Sequence, residues 1–512
     1  MKNKIIYLAI LAAGFAACEP EFENELSDGN YSAGDADFSS YVALGNSLTS
    51  GYMDGTVSRV GQMYSFPRQL ANQFSIVGGG EFTQPSYEED VNNAGGISGV
   101  PGFNTRLVID AQAGGPEPIN LPSTVTLTPQ QKAFNNMGVP GAKSFHLLLP
   151  GYGNVAGLAG GTANPYFVRM ATTTSARVID DAMSKNPTFF TNWIGNMDVL
   201  AYATSGGTGA TAGTGTNDIT PVPVFESSYN TIINTLTANG AKGVVATIPD
   251  VTSIPYFTTV PYNPLTATAI GQGNQAAGVA AIQQANAFYA QLDQILTAFG
   301  AGDRISLLSE TGANPLLIRD ESLTNMSTQI TGAALLNPQT APIATFLGQT
   351  FGQARQATAN DLILLPTRSV IGTAPTGIPA PFNAFGISYP LQDQHVLTAD
   401  ERSQVNTATT SFNNIIKSVA QAKGLAVADM NAIMQQLVSG LRTDNGQIYT
   451  ANYFSIPTLS TVLFSLDGIH PNARGYAVVA NEILKVINRH YNAKLPLVNP
   501  GNFPGPTILP SN

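Results

Sequence analysis

The chain predicts an α/β fold: a parallel sheet with long loop insertions. Three observations carry that expectation. Short, continuous apolar runs recur along its 512 residues. Amphipathic segments of helical period lie between or after them. Its 50 Gly and 33 Pro gather in weakly periodic stretches outside both. An apolar run without alternation suits a strand buried on both faces, as in parallel sheets. Strands that alternate with helices make crossover connections the expected topology.

The first 18 residues read as an address rather than as fold. Lys2 and Lys4 form a positive start, and Ile5 to Ala13 is an apolar stretch too short for a stable span. Gly14-Phe15-Ala16-Ala17-Cys18 resembles a bacterial lipobox, with Phe15 where Leu is usual. Lipidation of Cys18 would make it the mature N-terminus and anchor the protein to the membrane by acyl chains. The alternative is an ordinary signal peptide with a chance cysteine. With the only cysteine lipidated, no thiol remains for a disulfide or a metal site. Residues 19–37 carry seven acidic residues and no basic one, and read as a solvated tether. The stretch resembles the acidic segment after the lipid cysteine in surface lipoproteins of Bacteroidetes-like bacteria. The expected location is the outer membrane, lipid-anchored, on the periplasmic or the cell-surface side.

Four apolar runs predict strands: Tyr41 to Gly45, Phe189 to Gly195, Lys242 to Pro249 and Leu425 to Met430. Phe225 to Ala238 predicts a helix with Tyr229, Ile232, Ile233 and Leu236 on one face and Gly240 as its cap. Gln275 to Phe299 is a second, Ala- and Gln-rich helix. Thr398-Ala399-Asp400-Glu401 is a capping box that opens a third, to about Lys423. Ala473 to His490 is a fourth, with Val478, Val479, Ile483, Leu484 and Ile487 at helical spacing. Residues 78–124, 205–220 and 309–389 fit no minimal α/β unit and read as loop insertions, where binding specificity usually resides. One domain over 38–495 with elaborated loops is the first expectation; a separate subdomain within about 300–395 is the alternative. The Pro-rich tail, 496–512, is expected to lie extended on the surface.

A net charge of −10 with 11% charged residues argues against nucleic acid as a partner, because phosphate binding needs clustered Lys and Arg. His and acidic residues are too scattered for a metal cluster, and no cofactor motif stands out. Two short segments carry the chemistry instead. Tyr41-Val42-Ala43-Leu44-Gly45-Asn46-Ser47 puts a serine on a tight turn after a buried strand. Ligands of open α/β sheets bind at that edge. Asp467-Gly468-Ile469-His470 puts a carboxylate three residues before an imidazole. A serine needs a base to become a nucleophile, and that base needs an acceptor on its other nitrogen. Of the four histidines, His146 reads as structural, His395 as a solvated loop residue and His490 as surface, which leaves His470 as the base.

Gly45-Asn46-Ser47-Leu48-Thr49-Ser50-Gly51 resembles the first block of the SGNH (GDSL-type) hydrolases, with Asn46 where Asp is commonest. Asp467-x-x-His470 resembles their last block. Asn136-Met137-Gly138-Val139-Pro140-Gly141 is similar to the second, with Gly141 the best match for its oxyanion glycine and Gly138 the next. Trp193-Ile194-Gly195-Asn196-Met197-Asp198 stands where the third, Gly-x-Asn-Asp, belongs. The resemblance implies a three-layer α/β/α (flavodoxin-like) sheet and ester hydrolysis through an acyl-enzyme. Ser47 would attack, His470 would act as base and then acid, and Asp467 would orient His470. The amides of Ser47 and Gly141 and an Asn side chain would hold the oxyanion. Met197 occupies the place of that Asn and donates no hydrogen bond. Asn196 supplies the donor if the turn is shifted by one residue. Expected substrates are acyl esters: acetylated glycans, short-chain esters or lipids. The alternative is a weak or inactive binding or scaffold lipoprotein on the same fold.

Overall fold

The computed structural model describes residues 30–509, apart from 86, 111–114 and 445. Cys18, the leader-like segment and most of the acidic stretch lie outside the described residues. Five parallel strands make the central sheet: β1 (Tyr41–Gly45), β2 (Asn136–Gly138), β3 (Phe189–Trp193), β4 (Lys242–Ala246) and β5 (Ala426–Ala428). They lie side by side in the order β5-β4-β3-β1-β2. That is the flavodoxin-like doubly wound order, in which the strand order reverses beside β1.

The helices that matter here are α1 (Ser47–Ser50), α2 (Phe66–Ser75), α3 (Met197–Thr204), α4 (Val222–Thr237), α5 (Gln275–Ala298), α6 (Ser327–Leu335), α7 (Ala344–Phe351), α8 (Ala399–Lys423), α9 (Met430–Ser439) and α10 (Ala473–His490). Side-chain alternation along β1 splits the core in two. Val42 and Leu44 join Phe190, Val245 and the inner faces of α4 and α8. Tyr41 and Ala43 join Phe189, Val244 and the inner faces of α2 and α10. The result is a three-layer α/β/α fold. On α4, Phe225, Tyr229, Ile232, Ile233 and Leu236 are all fully buried. Each such side chain contributes about 1.5–3 kcal/mol before the entropy of ordering is subtracted.

Local signals set the helix ends. The Thr398 amide donates to Glu401 Oε2 at 2.7 Å to complete the capping box of α8. Gly424, at φ 62°, ends that helix in the left-handed conformation. Asn472 caps α10, with Oδ1 accepting from the Gly475 amide at 2.9 Å. α4 stops at Thr237, so Gly240 lies two residues beyond its cap, Ala238, instead of closing the helix.

Between Pro255 and Leu397 the chain leaves the sheet and builds two apolar clusters of its own. In the first, Ile282 and Leu292 of α5 meet Ile330 of α6 and Leu347 and Phe351 of α7. The second holds Val260, Leu316, Ile318, Ile363 and Leu391. α5, which by its position alternates with the strands, therefore belongs to the insertion. The 78–124 stretch is pinned at a buried Arg169, which ion-pairs with Glu89 at 2.5 Å and stacks on Tyr87. The tail forms a one-turn helix at Pro500–Asn502, and Ile508–Leu509 pairs in parallel with Leu107–Asp110. The last residues of the acidic stretch are docked, not solvated: the Asp35 amide donates to the Tyr491 carbonyl at 2.7 Å, and Ala36 is buried.

The Phe412 ring of α8 stacks on Phe225 of α4 at 4.1 Å and is fully buried. Phe412→Ala should lower the unfolding free energy by about 3–5 kcal/mol, because the site is walled by rigid elements that cannot collapse into the void. Chemical denaturation checks this; a loss below about 1 kcal/mol would mean that the two helices do not meet there.

Candidate active site

Ser47 is the first residue of α1, one residue after Asn46, whose Oδ1 accepts from the Leu48 amide at 3.2 Å. The turn from β1 into α1 is tight. A Cβ on Gly45 would stand 2.2 Å from Thr49 Oγ1 and 2.5 Å from the Trp193 carbonyl oxygen. Only glycine lets strand, turn and neighbouring strand close there. Ser47 Oγ lies 2.9 Å from His470 Nε2, and His470 Nδ1 lies 2.8 Å from Asp467 Oδ2. The three residues read from the two ends of the sequence thus form one hydrogen-bonded relay. Ser47 and His470 are 5% and 8% exposed, enough to reach a substrate from one side only.

The carboxylate of Asp467 is held on every side. Oδ1 accepts from Ser465 Oγ at 2.9 Å, the Ile469 amide at 2.8 Å and the His470 amide at 2.9 Å. Oδ2 also accepts from the Gly55 amide at 3.1 Å. Burial alone would raise this carboxyl. The His470 charge and the hydrogen bonds from His470 and Ile469 outweigh it and keep the group below its usual range. An ionised Asp467 favours the tautomer with the proton on Nδ1, which leaves Nε2 to accept from Ser47. The Tyr52 ring packs 4.5 Å from the imidazole and limits its rotation.

Gly141 and Asn196 stand at the same sheet edge, after β2 and β3, the two neighbours of β1. β2 is tied to α1 by Asn136 Nδ2, which donates to the Thr49 carbonyl at 3.0 Å. Gly141 is exposed at φ 78°, and its amide has no acceptor among the described residues. Asn164 Nδ2 holds the preceding Pro140 carbonyl at 2.8 Å. Asp198 Oδ2 and Oδ1 accept from the amide and hydroxyl of Ser144 at 2.9 and 2.7 Å, clamping the Gly141 loop to α3. Burial pushes Asp198 up to about 6, against the pull of those Ser144 bonds. Asn196 is 4% exposed, and neither its Nδ2 nor its Oδ1 has a partner among the described residues. Met197 is partly buried and packs against the apolar cluster that includes Val199 and Phe225. Gly138 lies within β2, buried, with its amide donating to Asn136 Oδ1 at 3.0 Å.

The other histidines stand apart from the relay. His146 Nδ1 accepts from the Lys143 amide at 3.1 Å and its ring stacks on Tyr152; burial and Lys143 push it down to about 4. His395 Nδ1 accepts from the Gln392 amide at 3.1 Å. The exposed His490 has Nε2 3.1 Å from the Gly424 carbonyl.

Three supporting residues escaped sequence reasoning: Tyr52, Asp54 and Ser465. Asp54 is 3% exposed and takes φ 55°, a conformation that Asp tolerates before Gly. Its Oδ1 accepts from the Leu466 amide at 3.0 Å, and its own amide donates to Ser465 Oγ at 3.0 Å. The Asp54-Gly55 pair is a turn signal, but nothing in it forecasts a partner at Leu466. Burial, with repulsion from Asp467 adding to it, pushes Asp54 up to about 7.

Asp54 predicts a pH effect on stability. Unfolded, the carboxyl ionises near its ordinary 3.8; folded, it stays protonated up to about 7. Between those values stability falls as pH rises, by up to about 1.4 kcal/mol per pH unit, and the penalty stays constant above them. Asp54→Asn keeps the acceptor for Leu466 and removes the charge. The variant should melt above the parent near pH 8 and level with it near pH 4. An equal melting difference at both pH values would show that the Asp54 charge is not the cause. No protein-family model, no curated protein and no solved structure matches this chain.

Proposed function

We propose that the protein is a serine acylhydrolase of the SGNH (GDSL) type, cleaving acyl esters through an acyl-enzyme. The observation that carries the reading is the relay Asp467–His470–Ser47, with hydrogen bonds of 2.8 and 2.9 Å across 423 residues of sequence. Ser47 Oγ attacks the ester carbonyl carbon as its proton passes to His470 Nε2. The carbonyl oxygen becomes an oxyanion at the sheet edge, and the Ser47 and Gly141 amides and Asn196 Nδ2 are the donors assigned to hold it. When the tetrahedral adduct collapses, the alcohol leaves with the proton from His470. Water then repeats the sequence on the acyl-serine and regenerates Ser47. Every step uses side chains and amides already in the relay and its surroundings; no metal or cofactor enters it.

Asn196 supports the third donor. A buried amide without a partner costs about 1–3 kcal/mol and calls for an explanation. An oxyanion would supply such an acceptor once a substrate opens the site to this side chain; Asn192, in β3, is buried without a partner among the described residues in the same way. The competing reading, a binding or scaffold lipoprotein, rests on Met197 standing where an Asn is usual; the packed thioether and the adjacent free amide weaken it. We further propose that Cys18 carries the lipid anchor and places the enzyme on the outer membrane. The ester is a small molecule, a glycan acetate or a lipid.

A fluorophosphonate probe should label the protein at Ser47, and Ser47→Ala should abolish both labelling and hydrolysis of p-nitrophenyl acetate. No labelling under conditions that modify a control serine esterase would sink the proposal. Asn196→Ala should lower kcat by roughly 10²–10³, with KM little changed, as for the loss of one oxyanion donor. Met197→Leu should leave the rate within about twofold, because a core-facing side chain donates nothing to an oxyanion. The reverse pattern would move the donor away from Asn196.

A further inference from the structure

We infer that the insertion shapes a substrate with unequal halves: a small acyl group on a bulky, largely apolar alcohol. The inference rests on the acyl-transfer reading above and adds which side of the ester is large. Two cavities of very different size lie near the loop that carries Asp467 and His470: the smaller is lined by Ile469 and Pro471 of that loop, the larger by segments that continue from its neighbours Tyr256 and Leu365. The larger, of about 820 Å³, lies in the insertion against α5. That is within the roughly 300–1,000 Å³ of small-molecule sites.

Two segments that line this cavity also touch the loop carrying Asp467 and His470, at Gly468. The Tyr256 amide donates to the Gly468 carbonyl at 2.9 Å. A Cβ on Gly468 would lie 2.9 Å from Leu365 Cδ2. The same two segments line the cavity about one turn later, at Thr259 and at Arg368. One turn spans about 5.4 Å in the α-helix at Pro255–Thr258 and about 6 Å in the 3-10 helix at Leu365–Ser369. Phe288, Tyr289 and Phe382 face the space, and Arg368 is the only charged residue lining it. The lining is mostly apolar, with Gln272, Gln284, Asn383 and Ser388 among its uncharged polar members, and suits an alkyl or aromatic body rather than a polyanion.

The smaller cavity, of about 110 Å³, is lined by Leu48, next to the nucleophile, and by Ile469 and Pro471, on either side of His470. Met430 and Met434 complete an apolar wall with no charged residue in it. At about 30 Å³ per water-sized group, it holds roughly four such groups, the length of a short acyl chain. The chemistry assigns the two halves. The acyl group stays on Ser47, beside Leu48. The alcohol oxygen leaves with the proton of His470, and its body extends past Gly468, where the insertion packs.

Octyl acetate and ethyl octanoate, isomers that exchange the long and short sides, test this on the full chain. The wild-type protein should hydrolyse octyl acetate with a kcat/KM at least roughly tenfold above that for ethyl octanoate. Ala285→Trp and Ala281→Trp, which fill the larger cavity from α5, should each reduce that ratio severalfold; thermal melts confirm that they fold. Ser47-dependent hydrolysis with equal or reversed preference would overturn the inference and leave the hydrolase reading standing. So would a ratio unmoved in both folded variants. No Ser47-dependent turnover of either isomer or of p-nitrophenyl acetate would overturn both.

Discussion

The carboxylate of Asp467 holds the candidate site together. It accepts three hydrogen bonds at Oδ1, from Ser465, Ile469 and His470, and two at Oδ2, from Gly55 and His470. A buried charge with fewer donors would neutralise itself by taking up a proton. Here the donors are dense enough to keep the group ionised, and each one fixes a piece of chain. Gly55 belongs to the turn after α1, 412 residues earlier, so a single carboxylate sets the distance between the two ends of the sequence. The neighbouring Asp54 completes the logic. Two carboxyls this close cannot both be charged cheaply, and the one with fewer donors gives way. Asp54, pushed up to about 7, stays protonated in acid and leaves the charge to Asp467.

Topology supplies the other half of the geometry. In the order β5-β4-β3-β1-β2, the strands either side of β1 end in the two loops that carry Gly141 and Asn196. Three candidate donors from distant parts of the chain therefore converge because three strands are parallel and adjacent. Ligands settle where the strand order reverses, since the flanking connections diverge there and leave a crevice. The insertion between Pro255 and Leu397 hangs from the same edge and has its own apolar clusters. It meets the loop that carries Asp467 and His470 where Tyr256 and Leu365 touch Gly468, and it lends Phe257 and Leu364 to the core on that face of the sheet.

Much of this was legible in the sequence, and the reasons differ by element. β1, β3, β4 and β5 showed as apolar runs because both of their faces are covered. α8 and α10 showed their boundaries because Thr398 and Asn472 are chemical caps as well as positions. β2 did not show. It is three residues long and opens with Asn136, which is buried for its hydrogen bond to Thr49 rather than for hydrophobicity. The allegiance of α5 was hidden because an Ala-rich helix carries the same period whichever core it serves. Ser47, Asp467 and His470 were readable as a set because their chemistry restricts residue type. Asp54 and Ser465 were not, since a turn residue and a serine acquire their roles only when the fold brings them together.

The docked segment before β1 has a consequence for how an anchored molecule would work. The Asp35 amide bonds the Tyr491 carbonyl just past α10, Asn492 Nδ2 donates to Asp35 Oδ2 at 2.7 Å, and Ser32 bridges Lys494. Lys242, the first residue of β4, donates its ammonium to the Asp35 carbonyl. These contacts fasten the chain to the edge where the strands begin. Ser47 lies at the edge where they end, five residues of β1 or about 17 Å away. A lipid on Cys18 would be tethered to the first edge, away from the second. That arrangement suits an enzyme that meets its ester from solution. An enzyme that draws lipid from the leaflet holding it would gain from the opposite arrangement, with the triad beside the anchor. The docked segment and the relay occupy opposite edges of the sheet, so anchoring and substrate capture make no competing demands on the same surface.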